Sequence, residues 1–342
     1  MTDTLVSFVL PCFNAERYLQ ETIDAICLQT YTHWECVALD DGSTDGTLTI
    51  LQAAAARDSR FRIISRENRG LIATLNEGVA AAKGEWIARI DADDICMPER
   101  LERQLARLQQ TGADICGAWV RFFGDRQGEW HLPTTNAGIR SMLLFNAALA
   151  HPTVLARRSL LLAHPYPANA RHAEDYALWC ELALAGATFT AVPEVLLAYR
   201  THAGQITQGK RDELRVTAQR VRQAYAQSAL PVSLQPLAEE FAALAEPGRV
   251  LQAAEFRAFV DILRQLAVML EGARGVLGEV WLDALQRTKG VNLGFLPGLM
   301  LLHAAMPLPA SELPKWRRQL LRLTLSDWLW QKLKPGQKGG RT

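Results

Sequence analysis

Two short acidic segments hold the residues of this sequence that are best suited to chemistry. Residues 40–46, with the sequence DDGSTDG, and residues 91–94, with the sequence DADD, each follow a short apolar run. Carboxylates in the first segment could accept hydrogen bonds from a nucleobase N–H or a ribose hydroxyl, and its glycines let the backbone pass close to a ligand. The carboxylates of the second are hard oxygen ligands that suit Mg2+ or Mn2+, and such an ion could neutralise a diphosphate.

Each acidic segment also has a purely structural interpretation. Asp, Ser, Thr and Gly form turns and cap helices, so residues 40–46 could be a turn, and residues 91–94 could be a solvated loop before a helix near Pro98. The chemical interpretation is favoured because an acidic cluster recurs after two strands of the same predicted sheet. Ligands of open α/β sheets gather at the carboxyl ends of the strands.

The elements that position these segments alternate between strands and helices over residues 1–120. The predicted strands are Leu5–Leu10, Glu35–Leu39, Phe61–Ser65, Trp86–Ile90 and Asp114–Val120. The predicted helices are Ala15–Gln29, Thr47–Arg57, Leu71–Ala82 and Pro98–Gln110. This alternation is typical of an α/β fold in which a parallel sheet is wound with helices, and it predicts a nucleotide-binding half.

The rest of the chain is less regular and divides into three parts. Residues 121–208 are interpreted as the acceptor-side half of a domain spanning 1–208, with a hairpin, one helix and two strands. Residues 209–334 are rich in Ala, Leu, Arg and Gln and lack a strand signal, which predicts a smaller all-α region. Residues 335–342 are predicted to be a disordered tail.

Composition excludes several classes of protein. A hydrophobic fraction of 49%, a charged fraction of 21% and a net charge of +1 are ordinary for a globular protein and give no reason to expect nucleic acid as a partner. The six cysteines show no CxxC pair, which indicates buried reduced thiols in a cytoplasmic protein. The first residues lack the basic start of a signal peptide, and we expect no transmembrane helix.

Several linked motifs resemble a known family. They are VSFVLPCFNAERYLQ, TYTHWECVALDDGSTDGT, NRGLIATLNEGVAAAKGEWIARIDADDICMPERLERQ, HPTVLARRS and AEDYALWCEL. Over about Leu5 to Gln205 the chain is similar to the family 2 glycosyltransferases of bacterial cell-surface polysaccharide synthesis. The resemblance implies the GT-A fold, which is a Rossmann-like, mostly parallel twisted sheet with helices on both faces.

The resemblance also implies an activity and a set of site residues. Such enzymes transfer a sugar from a nucleotide-diphosphate sugar to an acceptor hydroxyl with inversion, using Mn2+ or Mg2+ and a carboxylate base. The implied nucleotide-binding residues are Pro11, Asn14 and Asp41, with Asp40 as a helper, and the implied DxD residues are Asp91 and Asp93, with Asp93 principally facing the metal. Asp175 matches the catalytic base. A UDP-sugar is the expected donor because UDP is common in the family, and the expected acceptor is a glycan or a lipid-linked glycan.

Two opposing effects act on Asp175. On a helix that begins there, its side chain shares a face with Leu178, Trp179 and Leu182, so it should point inward toward a cleft. The helix N-terminus stabilises the carboxylate by about 0.3–1 kcal/mol and makes it a weaker base, which desolvation would have to offset. The structural alternative is a simple helix-terminus residue.

Three further residues have both a functional and a structural interpretation. Arg69 could reach a donor phosphate, although the segment Asn68-Arg69-Gly70 could also be only a turn. His202 and His151 could each contact phosphate or metal through a neutral imidazole, with His202 the stronger candidate for a metal ligand. The alternative is that both histidines are packed structural residues.

The C-terminal residues 313–334 suggest a membrane contact. Leu313, Trp316, Leu320 and Leu323 share one helical face, the basic residues from Lys315 to Arg322 cover the other, and Trp328 and Trp330 follow. Such a helix could rest on an anionic membrane surface at the inner face of the cytoplasmic membrane. It could equally pack on the catalytic domain with its basic face in solvent, or belong to an oligomerisation element.

Three other functions are weighed against the transferase. A processive synthase is disfavoured because there is no QxxRW string, and a nucleotidyltransferase because its glycine-rich first loop is replaced by PCFN. A non-catalytic module that only binds a sugar nucleotide or a glycan predicts a missing base or a broken DxD, and the sequence contains both Asp175 and residues 91–94.

Overall fold

The chain forms two compact units, Met1–Ala229 and Leu230–Thr342. The structure is a computed structural model, and the residues it describes are 4–202, 210–270, 272–306, 308 and 312–324. Among these residues no helix is long and apolar enough to cross a membrane. The predicted disordered tail, 335–342, lies outside the described residues.

The first unit is built on one large sheet flanked by helices. Its strands are β1 Val6–Cys12, β2 Trp34–Asp40, β3 Phe61–Ser65, β4 Trp86–Arg89, β5 Ile95–Cys96, β6 Ile115–Gly124, β7 Gly128–Trp130, β8 Leu155–Arg157 and β9 Phe189–Thr201. Its helices are α1 Leu19–Cys27, α2 Thr47–Arg57, α3 Leu71–Ala81, α4 Arg100–Thr111, α5 Asn136–Met142, α6 Arg158–Ala163, α7 Glu174–Leu184 and α8 Arg211–Ala229.

The sheet order among the described strands is β3-β2-β1-β4-β8-β6-β9-β5, with β7 paired to β6. Strands β3, β2, β1 and β4 run parallel to one another, and β6 runs parallel to β9. Strand β8 is antiparallel to both of its neighbours, and β5 is antiparallel to β9. The predicted α/β class with a mostly parallel sheet is therefore confirmed.

Strand β1 is buried along its whole length, because helices cover both faces of the sheet. Successive side chains of a strand point to opposite faces. On one face the Arg100 guanidinium of α4 lies 5.9 Å from the Phe8 ring centroid. On the other face α3 approaches so closely that a Cβ at Gly78 would lie 2.5 Å from Cγ1 of Val9. A glycine is therefore required where α3 crosses β1.

The second half of the sheet differs in detail from the prediction. Strand β9 is continuous over Phe189–Thr201, where two strands were expected, and its register with β6 shifts between Ala118 and Val120. Pro193 explains the interruption in the pattern, because proline has no N–H to donate to a ladder and is accommodated at such irregularities. Strand β8 and helices α5 and α6 were not predicted.

The boundary between the units also differs from the predicted one at residue 208. Helix α8 belongs to the first unit, where it packs against α7. The buried Arg222 of α8 donates from Nε to the Phe145 carbonyl at 2.8 Å, and the Tyr225 hydroxyl donates to the Arg140 carbonyl at 3.3 Å. The change in composition at residue 209 marks the end of the large sheet, but it does not predict that α8 belongs to the first unit.

The second unit is helical, as predicted, apart from one short ladder. Its helices are α9 Ala238–Leu244, α10 Ala253–Met269, α11 Arg274–Gln286, α12 Leu296–Ala305 and α13 Leu313–Thr324. Two two-residue strands, β10 Leu251–Gln252 and β11 Thr288–Lys289, pair in parallel. Trp281 is fully buried among these helices and donates from Nε1 to the Met306 carbonyl at 3.2 Å.

The predicted amphipathic helix exists as α13, and its apolar face is already covered. Trp316 and Leu323 are buried, and the Trp316 ring lies 5.3 Å from Trp281 and stacks on His303 at 6.0 Å. The side chains of Arg317 and Arg318 on the other face are exposed. Residues 325–334 of the predicted contact segment lie outside the described residues.

The cysteines form no disulfide within the described chain. All six are free, and all except Cys27 are buried. Burial raises the pKa of the Cys96 thiol to about 11 and that of Cys116 to about 12. These thiols therefore stay protonated and pack as small apolar groups.

Candidate active site

Asp40, at the end of β2, is a structural carboxylate. Its Oδ1 accepts the Ser43 N–H at 3.1 Å, and its Oδ2 accepts the Ser65 hydroxyl at 2.8 Å. The residue is 2% exposed. Both oxygens are thus used to join the end of β2 to the following turn and to β3, which leaves little of Asp40 for a ligand.

Asp41 organises the neighbouring loop. Its Oδ1 accepts the backbone N–H of Arg69 at 2.8 Å, and its Oδ2 accepts the backbone N–H of Gly70 at 2.9 Å. The Arg66 guanidinium forms an ion pair with the same carboxylate. Gly70 has φ +84°, a conformation that favours glycine. The Arg69 side chain remains 56% exposed, with Glu67 at 3.7 Å. Asp41 therefore fixes the loop from which Arg69 projects.

The end of β1 is tied to the same region through Asn14. Its N–H donates to Ser43 Oγ at 3.0 Å, and its Oδ1 accepts the Thr44 N–H at 2.9 Å. Asn14 has φ +49°, which asparagine tolerates better than most residues. Pro11 is buried within β1 and pairs with Leu39 of β2. These bonds hold the turn after β1 against the turn after β2.

Phe13 is a residue that the sequence analysis did not single out. It is 53% exposed, although it directly follows a strand whose residues are all buried. A large aromatic ring at the carboxyl end of a parallel strand, beside Asn14, is an apolar surface open to a ligand. The sequence held a signal for Phe13, because this aromatic residue lies between Pro11 and Asn14, two predicted nucleotide contacts.

The second acidic segment forms a compact cluster. Ligand oxygens of Asp91, Asp93 and Asp94 all lie within 4.8 Å of one another. Burial, followed by the charge of Asp91, raises the pKa of Asp93, and the same causes raise the pKa of Asp94 well above its usual value. The Asp94 Oδ1 accepts the Arg200 N–H at 2.9 Å, whereas its Oδ2 is buried with no hydrogen-bond partner among the described residues.

The donor atoms of this cluster fit a divalent cation. A buried carboxylate oxygen without a hydrogen bond is costly unless it is protonated or bound to a cation. Carboxylate oxygens are the ligands that Mg2+ and Mn2+ prefer. The arrangement can therefore hold a metal ion at residues 91–94.

The end of β9 holds the cluster in place. The His202 Nε2 lies 3.0 Å from Asp93 Oδ2, and Arg200 Nε donates to the Asp93 carbonyl at 2.8 Å. The Arg200 guanidinium lies 4.2 Å from the Tyr18 ring centroid and 4.4 Å from that of Phe123. His202, predicted as a metal ligand, is thus brought to Asp93, the principal predicted ligand.

Arg89 is a second residue that the sequence analysis did not single out. It is 4% exposed at the end of β4 and forms an ion pair with Asp91. Burial is the largest single influence and lowers the pKa of the guanidinium, but the charge of Asp91, the hydrogen bond to it and the nearby Tyr166 and Asp94 together raise that pKa. A charged residue inside the otherwise apolar run WIAR was the available signal.

Asp175 lies in the first turn of α7 and has a strongly perturbed carboxyl group. Burial and then the charge of Glu174 raise its pKa to about 7, while the Tyr176 N–H bond and Arg89 act in the opposite direction. Desolvation therefore outweighs the stabilising effect of the helix N-terminus. A carboxyl group with this pKa can exchange a proton at neutral pH, as a general base must.

His151 and Tyr166 form a buried pair near this carboxyl group. The His151 Nε2 lies 2.8 Å from the Tyr166 hydroxyl, and Asn76 of α3 bonds both the N–H and the carbonyl of Tyr166 at 2.9 and 3.0 Å. Burial, followed by the charge of Arg89, keeps the pKa of His151 well below its usual value. His151 is therefore a neutral, packed histidine, which agrees with its structural interpretation.

The charges around Tyr166 show that the acidic cluster and Asp175 belong to one neighbourhood. Burial raises the pKa of the Tyr166 hydroxyl, Arg89 lowers it, and Asp175, Glu174 and Asp91 raise it further. Asp91, a predicted metal ligand, and Asp175, the predicted base, thus act on one tyrosine that the sequence analysis overlooked.

Comparison with known proteins identifies the family. Residues 7–166 match the sequence pattern of Glycosyl transferase family 2. The chain is 31% identical over 233 residues to an uncharacterized glycosyltransferase of Haemophilus influenzae, covering 64% of this chain and 72% of that protein. It is 29% identical over 184 residues to the Escherichia coli UDP-Glc:alpha-D-GlcNAc-diphosphoundecaprenol beta-1,3-glucosyltransferase WfgD, covering 53% of this chain and 71% of WfgD.

Two solved structures share the fold. The Staphylococcus aureus TarS 1–349 complex with UDP-GlcNAc superposes with a TM-score of 0.59 at 15% identity, covering 88% of each chain. The Pyrobaculum calidifontis mannosyltransferase PcManGT, in complex with GDP-Man and Mn2+, superposes with a TM-score of 0.53 at 18% identity, covering 77% of this chain and 75% of PcManGT. The chain thus belongs to glycosyl transferase family 2 and is a glycosyltransferase with the GT-A fold.

Proposed function

We propose that this enzyme transfers a sugar from a UDP-sugar to an acceptor hydroxyl with inversion at the anomeric carbon, in the assembly of a surface polysaccharide or lipopolysaccharide. The observation that carries this proposal is Asp175, whose pKa of about 7 suits a general base. Asp175 removes the proton of the acceptor hydroxyl, whose oxygen attacks the anomeric carbon. The bond from that carbon to the diphosphate breaks, and the nucleoside diphosphate leaves from the opposite side.

The nucleotide is assigned to the turns after β1 and β2. Pro11 and Asn14 shape the first turn, Asp40 and Asp41 hold the second, and the exposed Arg69 side chain is placed to meet a phosphate. The exposed ring of Phe13 suits stacking on a base, an interaction worth about 1–3 kcal/mol. UDP is the proposed nucleotide, which the names of WfgD and the TarS complex support.

The proposed metal ion is Mn2+ or Mg2+. Asp93 and Asp91 would hold it, with Asp94 and His202 beside them. A bound divalent ion supplies charge neutralisation for the departing diphosphate. Asp93 is the residue whose loss should abolish this site, since it combines a partly exposed carboxylate with the contact to His202.

The proposed acceptor is a glycan or a lipid-linked glycan at the inner face of the cytoplasmic membrane. The exposed basic face of α13 favours a peripheral contact with anionic lipid, since clustered Lys and Arg are attracted to such surfaces. The buried Trp316 argues against insertion of the apolar face. Flotation with anionic vesicles, comparing the full chain with Arg317→Ala/Arg318→Ala, tests this contact, and equal flotation would rule it out.

A thermal-shift panel tests the donor site. UDP, GDP, dTDP and CDP are each added with and without Mn2+ to the wild type, to Asp93→Ala and to a control, Asp261→Ala, whose exposed carboxylate lies in the second unit. A ligand at a hundred times its dissociation constant adds about 2.7 kcal/mol of stability. UDP should stabilise the wild type and the control only with Mn2+, and Asp93→Ala should lose this response.

The outcomes separate the competing functions. No response to any nucleotide in the wild type would remove the donor site and with it the proposed reaction. A UDP response without any sugar transfer by the wild type, across a panel of UDP-sugars and glycan acceptors, would favour a non-catalytic binding module.

A further inference from the structure

Arg89 is held more firmly than its place at a strand end requires. The backbone N–H of Arg89 donates to the Val154 carbonyl at 2.9 Å. The backbone carbonyl of Arg89 accepts a hydrogen bond at 2.8 Å from the guanidinium of Arg100. Arg100 is itself fully buried in α4. The backbone of Arg89 is thus held by Val154, directly before β8, and by α4, while its guanidinium is held by Asp91.

The guanidinium of Arg89 lies among carboxylates that need a positive charge. It pairs with Asp91, and its charge lowers the pKa of Asp94, Glu174 and Asp175 against the effect of burial. Its Nε is buried with no hydrogen-bond partner within the described part of the chain. Arg89 therefore serves these acids through its charge and its contact with Asp91 more than through a complete hydrogen-bond network.

A bound divalent cation and Arg89 would compete for the same negative charge. Two like charges a few ångströms apart in a buried site repel strongly, because the effective dielectric constant there is far below that of water. Without any cation, however, a partly buried Asp91 that lost Arg89 would lose its ion-pair partner, which is costly. Arg89 therefore stabilises the site without metal and opposes binding of a bare metal ion.

We propose that Arg89 is the resident counter-ion of the acidic cluster, so that the cluster binds a free divalent cation weakly and binds the cation together with a diphosphate much more strongly. The negative charge of the diphosphate offsets the repulsion between Arg89 and the cation. This inference rests on the proposed metal site at Asp91 and Asp93.

Binding of Mn2+ alone, measured by calorimetry without nucleotide, tests the inference. Arg89→Gln should bind Mn2+ at least about tenfold more tightly than the wild type, because a repelling charge is removed. Arg89→Lys keeps the charge and should bind Mn2+ as weakly as the wild type. Arg222→Gln is the matched control, since Arg222 is also a buried arginine of the first unit but bonds the Phe145 carbonyl.

The remaining outcomes keep this inference separate from the metal site itself. If the wild type binds no Mn2+ even with UDP, the proposed metal site fails. If the wild type binds Mn2+ with UDP but Arg89→Gln shows unchanged or weaker affinity for Mn2+ alone, only the role of Arg89 is overturned. If Arg89→Gln is recovered unfolded, Mn2+ in the refolding buffer should restore it, and failure of Mn2+ to do so would overturn the inference.

Discussion

The two acidic segments of this protein have similar sequences but opposite hydrogen-bond environments. The carboxylates of Asp40 and Asp41 accept bonds from Ser43, Ser65 and the backbone of residues 69 and 70, so each oxygen has a donor. In the second segment Asp94 keeps one buried oxygen with no hydrogen-bond partner in the described part of the chain, and the pKa values of Asp93 and Asp94 are raised. The first pair holds the turns of the proposed donor site, and the second cluster keeps a carboxylate oxygen for a proton or a cation.

This contrast indicates that the function of an acidic motif depends on the hydrogen-bond donors around it. A carboxylate that accepts several N–H bonds is stabilised as an anion and has little capacity left for a ligand. A buried carboxylate with few donors favours a proton or a cation. By this criterion Asp175 belongs with the second cluster, since burial raises its pKa as well.

The largest effect is expected for Asp175. Asp175→Asn removes the proposed base but keeps the size of the side chain, and kcat should fall by about 10^2–10^4-fold. The response of melting temperature to UDP and Mn2+ should be retained, because the donor site is intact. Steady-state transfer assays with a matched thermal shift measure both.

The neighbouring acid provides the control for this prediction. Glu174→Gln alters the second buried carboxyl group of the same helical turn, whose pKa burial also raises. It should reduce kcat far less than Asp175→Asn does. Equal losses would contradict the assignment of Asp175 as the base.

The next largest effect concerns folding stability and separates the two acidic segments directly. Asp41→Ala leaves the backbone N–H groups of Arg69 and Gly70 without their acceptor and removes one of the two carboxylates that pair with Arg66, so the free energy of unfolding should fall by about 3 kcal/mol. Asp93→Asn relieves a carboxylate whose ionised form is disfavoured, so it should change stability by less than about 1 kcal/mol.

Urea unfolding of the two variants without metal measures this contrast. Asp41→Asn should lose less stability than Asp41→Ala, because the amide retains one acceptor oxygen. A large loss in Asp93→Asn together with no loss in Asp41→Ala would break the distinction between scaffold and ligand carboxylates.

The pH dependence of the reaction should follow Asp175. A base must be ionised to accept a proton, so kcat/KM should rise with pH and level off above pH about 7, falling about tenfold per unit below it. The metal-dependent binding of UDP should be measured over the same range to separate donor binding from the base. A limb centred near pH 4, the ordinary range of a carboxyl group, would contradict this prediction, because kcat/KM reports the free enzyme, in which burial raises the pKa of Asp175.

Much of the fold follows from the sequence because its first half obeys simple periodicity. Strands β1 to β4 and the helices between them end within a few residues of their predicted bounds, since each strand is a buried apolar run followed by turn residues. The later half was harder to predict. Pro193 splits the pattern of β9, and β8 is only three residues long, so neither gives a complete periodic signal.

The sequence predicts those residues of the proposed site whose role depends on the type of side chain. It does not predict those whose role depends on burial and on neighbours distant in sequence. The recurring acidic segments indicated residues 40–46 and 91–94, and the family resemblance implied Asp41, Asp91 and Asp93 within them. Arg89 and Tyr166 belong to the proposed site because the fold buries them beside these acids. The local sequence does not show which distant residues a buried side chain will contact. The balance of forces on Asp175 likewise required the structure, because desolvation cannot be judged from a helix start alone.

The smallest effect is expected for Arg69, which extends the comparison to the exposed rim of the donor site. Its side chain is 56% exposed and lies 3.7 Å from Glu67, while Arg103 of α4 is 57% exposed and lies 3.7 Å from Glu194. Surface ion pairs of this kind contribute little to folding, so neither Arg69→Ala nor the control Arg103→Ala should lower stability by more than about 1 kcal/mol.

A phosphate contact by Arg69 predicts that Arg69→Ala alone weakens UDP binding about three- to tenfold. This effect should shrink as the salt concentration rises, because an exposed charge is screened. Isothermal titration of both variants with UDP and Mn2+ at two ionic strengths gives the comparison. Equal affinities for Arg69→Ala and Arg103→Ala would confine the donor contacts to the turns that Asp41 and Asn14 hold.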